Sequence, residues 1–166
     1  MKILFLLLIS LISIQASEEL ALKKIKKFGK NLQKELKGGL RLSPLKAIEI
    51  CQMKAPEIEK QVSSEGIKIG RVSLKKRNPQ NAPKAWMRSY IKEFHEKKIS
   101  KNYIITDLNN GKKGLLKPIR TMPLCLKCHG ENIDKSLYRA ILNKYPKDRA
   151  IGYKVGEIRG FFWAEY

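Results

Sequence analysis

Cysteine and histidine are scarce in this chain, three and two among 166 residues. Three cysteines cannot all pair, which excludes a simple disulfide scaffold. A four-cysteine zinc site would lack its second pair. Acidic residues are few as well, 15 against 35 lysines and arginines, for a formal net charge of +20. Such an excess favours anionic partners or surfaces. Zinc-finger, RNA-binding and other nucleic-acid motifs are missing, so the charge does not point to nucleic acid. Internal repeats and low-complexity segments are missing too. The longest apolar run, Ile3 to Ile14, is shorter than the roughly 20 residues a helix needs to span a bilayer.

What that run does suit is a leader. Lys2 precedes it and small and polar residues follow, as in a secretory signal peptide over residues 1–16 with cleavage after Ala16. Residues 17–166 then form one domain, the size at which a single core is buried without staples. This reading places the protein in the periplasm, with no transmembrane span once the leader is removed.

Leu22, Ile25, Phe28, Leu32 and Leu36 recur at steps of three and four with lysines between them, which predicts an amphipathic helix stopping at Gly38-Gly39. An anionic membrane surface is one setting for its basic face, and packing of its apolar stripe is the commoner one. Its apolar stripe suits the body of the domain or a second copy, making a homodimer. Ser43 and Pro44 open a second helix, which Pro56 should kink or divide. IKIGRVSLK alternates as a strand, RNPQNAP is a loop, and Ala82–Lys97 returns to helical period. NYIITDL and LLKPIRTM flank the turn NNGKKG, a helix is expected near Asp134–Asn143, and GEIRGFFWAEY suits a terminal strand. Helices in front of a mostly antiparallel sheet make the fold class α+β.

Two of the three cysteines and one of the two histidines fall within CLKCHG, residues 125–130. In a shuffled chain of this composition the pattern C-x-x-C-H is expected about four times in ten thousand, so chance is a poor explanation. It is the attachment pattern of c-type haem. Cys125 and Cys128 add to the two vinyl groups of one porphyrin, and His129 reaches the iron from one face. The residues leave the sixth ligand open among Cys51, Met53, Met87, Met122, His95 and an unligated site. Arg71 and Arg77 bracket VSLKK; each could pair with a haem propionate or hold the loop through backbone carbonyls.

CLKCHG, GRVSLKKRNPQNAPKAW, Cys51 within AIEICQMKAPEI, and YPKDRAIGYKVGEIRG occur in the order found in a family of periplasmic monohaem c-type haem-binding proteins. The chain resembles that family from the first mature helix to the end. The resemblance implies a PAS-like central antiparallel sheet flanked by N-terminal helices. It also implies iron held by His129 and by a cysteine from an early helix, here Cys51. One departure is that an acidic residue usually follows the tryptophan, whereas Met87 follows Trp86 here.

With both axial positions filled by protein, electron transfer or redox sensing by a low-potential six-coordinate haem c is expected, rather than an enzyme. A haem-based gas sensor acting through a separate partner is the alternative. A peroxidase would need distal acid–base groups that two histidines hardly supply. The basic surface suits an acidic redox partner protein.

Overall fold

The structure, a computed structural model, describes residues 2–166, with side chains described from Ala16 onward. Apart from Ala16, the side chains of the leader expected over residues 1–16 lie outside the described residues. Among the described residues no helix is long and apolar enough to cross a membrane.

Two helices lead. Helix α1 (Lys2–Leu42) and helix α2 (Pro44–Val62) form a tight antiparallel hairpin. The Ser43 hydroxyl accepts from Lys46 N at 3.0 Å and Pro44 occupies the first helical turn, the expected start of α2. One expectation fails here, and for Pro56 one of two alternatives is excluded. Gly38-Gly39 does not stop α1, because Gly39 is a packing residue: a Cβ there would lie 2.6 Å from Ala47 Cα on α2. Nor does Pro56 divide α2, which runs through it as one helix. The packing of Ala47, Ile48, Ala55, Ile58 and Val62 holds the helix on both sides of the proline.

The sheet has the order β1-β4-β3-β2, with every neighbouring pair antiparallel. Its strands are β1 (Lys68–Val72), β2 (Ile104–Asp107), β3 (Lys113–Arg120) and β4 (Ile158–Glu165). The turn between β2 and β3 uses Gly111 at φ +74°, a conformation glycine adopts without strain. One sheet face packs Ile67, Ile69, Leu115 and Ala164 against Ala21, Ile25 and Phe28 of α1 and Ile58 and Val62 of α2. The apolar stripe of α1 is thus used within the chain. The other face packs Val72, Leu116 and Phe161 against Met87 and against Ile91 and Phe94 of helix α3 (Arg88–His95).

Between β3 and β4 lie two more helices, the single turn α4 (Leu126–His129) and α5 (Lys135–Lys144). Asp134 caps α5, accepting from Leu137 N at 2.9 Å. Central antiparallel sheet and leading helices together give the expected α+β fold.

Candidate functional site

Pro123–Cys125 forms a 3-10 turn that runs directly into α4, so Cys125, Cys128 and His129 occupy one short helical stretch. Helical spacing puts Cys125, Cys128 and His129 on neighbouring faces of that stretch, as two thiols and one imidazole serving a single flat group require. Cys125 is buried and accepts from Met122 N at 3.4 Å; Cys128 is half-buried on the cluster of Ile48, Leu137 and Ile141. All three cysteines of the chain are free thiols.

The segment after α5 fixes the imidazole. Tyr153 N donates to His129 O and Gly152 N to Gly130 O, each at 3.0 Å, so residues 150–153 run alongside the end of α4. His129 Nδ1 lies 2.7 Å from Ala150 O. A carbonyl can only accept, so Nδ1 carries the proton and Nε2 keeps its lone pair. Burial holds this histidine well below its usual pKa, and Arg77, Arg159 and Arg71 reinforce the effect, against the opposing pull of the Ala150 carbonyl. The ring is therefore neutral, the form in which imidazole ligates a metal.

Asp148 and Arg77 hold the segment itself. The Asp148 carboxylate is fully buried; Oδ1 accepts from Ala150 N at 2.9 Å and Oδ2 from Arg77 Nη2 at 3.0 Å. The same Arg77 nitrogen donates to Cys128 O at 2.6 Å. Of the two roles open to Arg71 and Arg77, Arg77 thus takes the structural one.

Arg71 takes a different position. It projects from β1 toward α2 and lines a cleft of about 300 Å³ with Cys51, Ala55, Asn78, Asn81 and Tyr145. That volume is at the lower end of the roughly 300–1,000 Å³ of small-molecule sites. Asn78 also serves a turn, its side chain accepting from Gln80 N at 3.0 Å. Cys51, half-buried on α2, is on the lining of this cleft; His129 is not. Cleft and α4 are linked by charge: Arg71, Arg77 and Arg159 act on both Cys51 and His129, and Cys128 acts on Cys51. Burial pushes the Cys51 thiol up, while Arg71, and less strongly Arg77 and Arg159, pull it down.

The other candidate ligands sit elsewhere. Met87 is fully buried on the α3 side of the sheet, opposite α2. Met53 is exposed on α2. Met122 is exposed, its sulfur 3.9 Å from Gln33 Nε2 of α1. His95 is exposed at the end of α3, its ring edge-on to Phe161. Among the described residues no cluster of three or more His, Cys, Asp or Glu is placed to hold a bare metal ion.

Three buried guanidinium nitrogens, Arg71 Nε, Arg77 Nε and Arg159 Nε, have no hydrogen-bond partner. Buried polar groups are normally satisfied; Arg77 has its anion in Asp148, so Arg71 and Arg159 are the cations that want one. A flat apolar group with two carboxylate arms fits that need, and it fits the neutral imidazole and free thiols nearby. The residues present therefore suit haem. Arg159 escaped the reading of the sequence; its one signal is a lone cation inside the otherwise apolar IRGFFWA of β4.

Among curated proteins none matches this chain. Among solved structures it is similar to the cyanobacterial heme-protein Tll0287, at 25% identity and a TM-score of 0.67, over 87% of this chain and 93% of that one. The family model of the Tll0287-like proteins matches residues 11–164, nearly the whole length. The chain belongs to the Tll0287-like family, a family of haem proteins.

Proposed function

We propose that the protein is an exported monohaem c-type cytochrome with a six-coordinate, low-potential haem, working in electron transfer or redox sensing rather than in catalysis. The observation that carries this is the His129–Ala150 hydrogen bond, which leaves a neutral Nε2 free beside two thiols at haem-attachment spacing.

Cys125 and Cys128 would fix the group covalently and His129 Nε2 would ligate it. Cys51 is the second ligand proposed, because it lines the cleft with Arg71, whereas Met87 lies on the α3 side of the sheet and Met53, Met122 and His95 are exposed. The bound group would supply one-electron chemistry at iron. Arg71 and Arg159 would pair with its carboxylates, and Arg77 would hold the segment that orients His129. A Cys51 thiolate adds negative charge at the iron and stabilises the ferric state, which lowers the potential. The arginines oppose that shift.

The leader and covalent attachment together support a periplasmic location. Lys127, Lys135, Arg139, Lys144, Lys147 and Arg149 are all exposed on the segment carrying α4 and α5. This basic rim would receive an acidic redox partner, whose association should slow steeply with salt.

Expression in a host competent for cytochrome c maturation tests the proposal. A haem stain that survives denaturing electrophoresis is expected, and should vanish in Cys125→Ser/Cys128→Ser. A colourless polypeptide from the same host would reject it.

A further inference from the structure

The haem site uses none of α1's outer face, where cations are concentrated. Lys23, Lys26, Lys27, Lys30, Lys34, Lys37 and Arg41 are all exposed. At 100° per residue these seven fall within an arc of about 100°, on a stripe roughly 27 Å long. Among the described residues none of the seven forms an ion pair. Only Glu19, at the N-terminal end, places an acidic residue on the same arc. Lys24, which falls outside it, is by contrast buried and paired with Glu65 at 2.7 Å. Where the helix hairpin turns, the stripe ends beside two exposed leucines, Leu42 at 70% and Leu45 at 51% exposure.

We propose that this face docks on a membrane surface of anionic lipid. Charge complementarity carries the proposal. A straight, unpaired cationic stripe meets a plane of phosphate headgroups along its whole length, and each lysine near such a surface strengthens binding about fivefold. The leucines favour lipid over an acidic protein, since basic side chains beside insertable apolar ones are what an interfacial helix presents. The inference stands independently of the haem reading. It would place α1 flat against the bilayer.

Cosedimentation of the haem-loaded protein with phosphatidylglycerol–phosphatidylcholine vesicles, against pure phosphatidylcholine vesicles, tests this. Binding to the anionic vesicles alone, abolished by high salt, is expected. The variant Lys23→Gln/Lys27→Gln/Lys30→Gln/Lys34→Gln should bind about a thousandfold more weakly. Leu42→Ser/Leu45→Ser should lose about tenfold. Removing four exposed lysines elsewhere, Lys68, Lys97, Lys101 and Lys135, should cost much less. Unchanged haem spectra and melting midpoints establish that each variant is folded. Absence of vesicle binding, equal binding to neutral vesicles, capture of acidic proteins without vesicle binding, or equal losses in the two lysine variants would overturn the proposal.

Discussion

Arg77 and Asp148, 71 residues apart in the chain, meet at 3.0 Å with the carboxylate fully buried, and the guanidinium continues to Cys128 O at 2.6 Å. The pair ties the loop after β1 to the segment that orients His129. Removing the cation leaves an uncompensated buried charge, which typically costs about 3–5 kcal/mol. Arg77→Ala should therefore lower stability by roughly that amount in chemical denaturation of the haem-loaded protein. Arg77→Lys should recover only part of the loss, because one ammonium cannot copy the guanidinium fork.

In the proposed haem site, Arg71 and a ligating Cys51 thiolate would act with opposite charge. Replacing Arg71 by Gln would then remove a cation beside the bound group, so the ferric state should gain and the midpoint potential fall. A shift on the order of 60 mV corresponds to a tenfold change in the one-electron equilibrium. Potentiometric titration of the parent and Arg71→Gln proteins measures it, and a rise would contradict the proposed placement.

The two glycines at the end of α1 should respond in opposite directions. A Cβ at Gly39 would stand 2.6 Å from Ala47 Cα, whereas nothing lies within 4 Å of one at Gly38. Gly39→Ala should destabilise by about 1–3 kcal/mol through overpacking. Gly38→Ala should stabilise by roughly 0.5–1 kcal/mol through helix propensity. Melting of the two variants side by side checks both signs.

Glu165, at the end of β4, accepts from Lys84 Nζ at 2.7 Å and from Trp86 Nε1 at 2.9 Å. Burial alone would raise its pKa, but these two donors and the Lys84 charge bring it below the usual value. The group thus stabilises the fold above the ordinary glutamate range of about 4.3, and that contribution is lost as pH falls through the lower folded value. Glu165→Gln should flatten the acid limb of the stability–pH curve. An unchanged limb would show that the contacts at β4 do not set it.

Local chemistry made much of this legible in the sequence. Ser43-Pro44 and Asp134 mark helix starts through side chains that act within three residues, and NNGKKG marks a hairpin through one turn. C-x-x-C-H is equally local, because its five residues share one short helical stretch. Tertiary relationships were not legible. Gly39 reads as a helix stop until Ala47 is seen packed against it, and Pro56 reads as a break until the packing on either side is counted. The role of Asp148 depends on Arg77, and that of Ala150 on a backbone carbonyl, which no side-chain pattern records. Arg159 belongs to the site only because β4 lies beside β1.

The most direct test of the central claim is the optical and electron paramagnetic resonance spectrum of the haem-loaded protein beside its Cys51→Ala variant. Ligation by His129 and Cys51 predicts a low-spin thiolate signature that disappears in the variant, with a rise in midpoint potential. Identical spectra and potentials would contradict it.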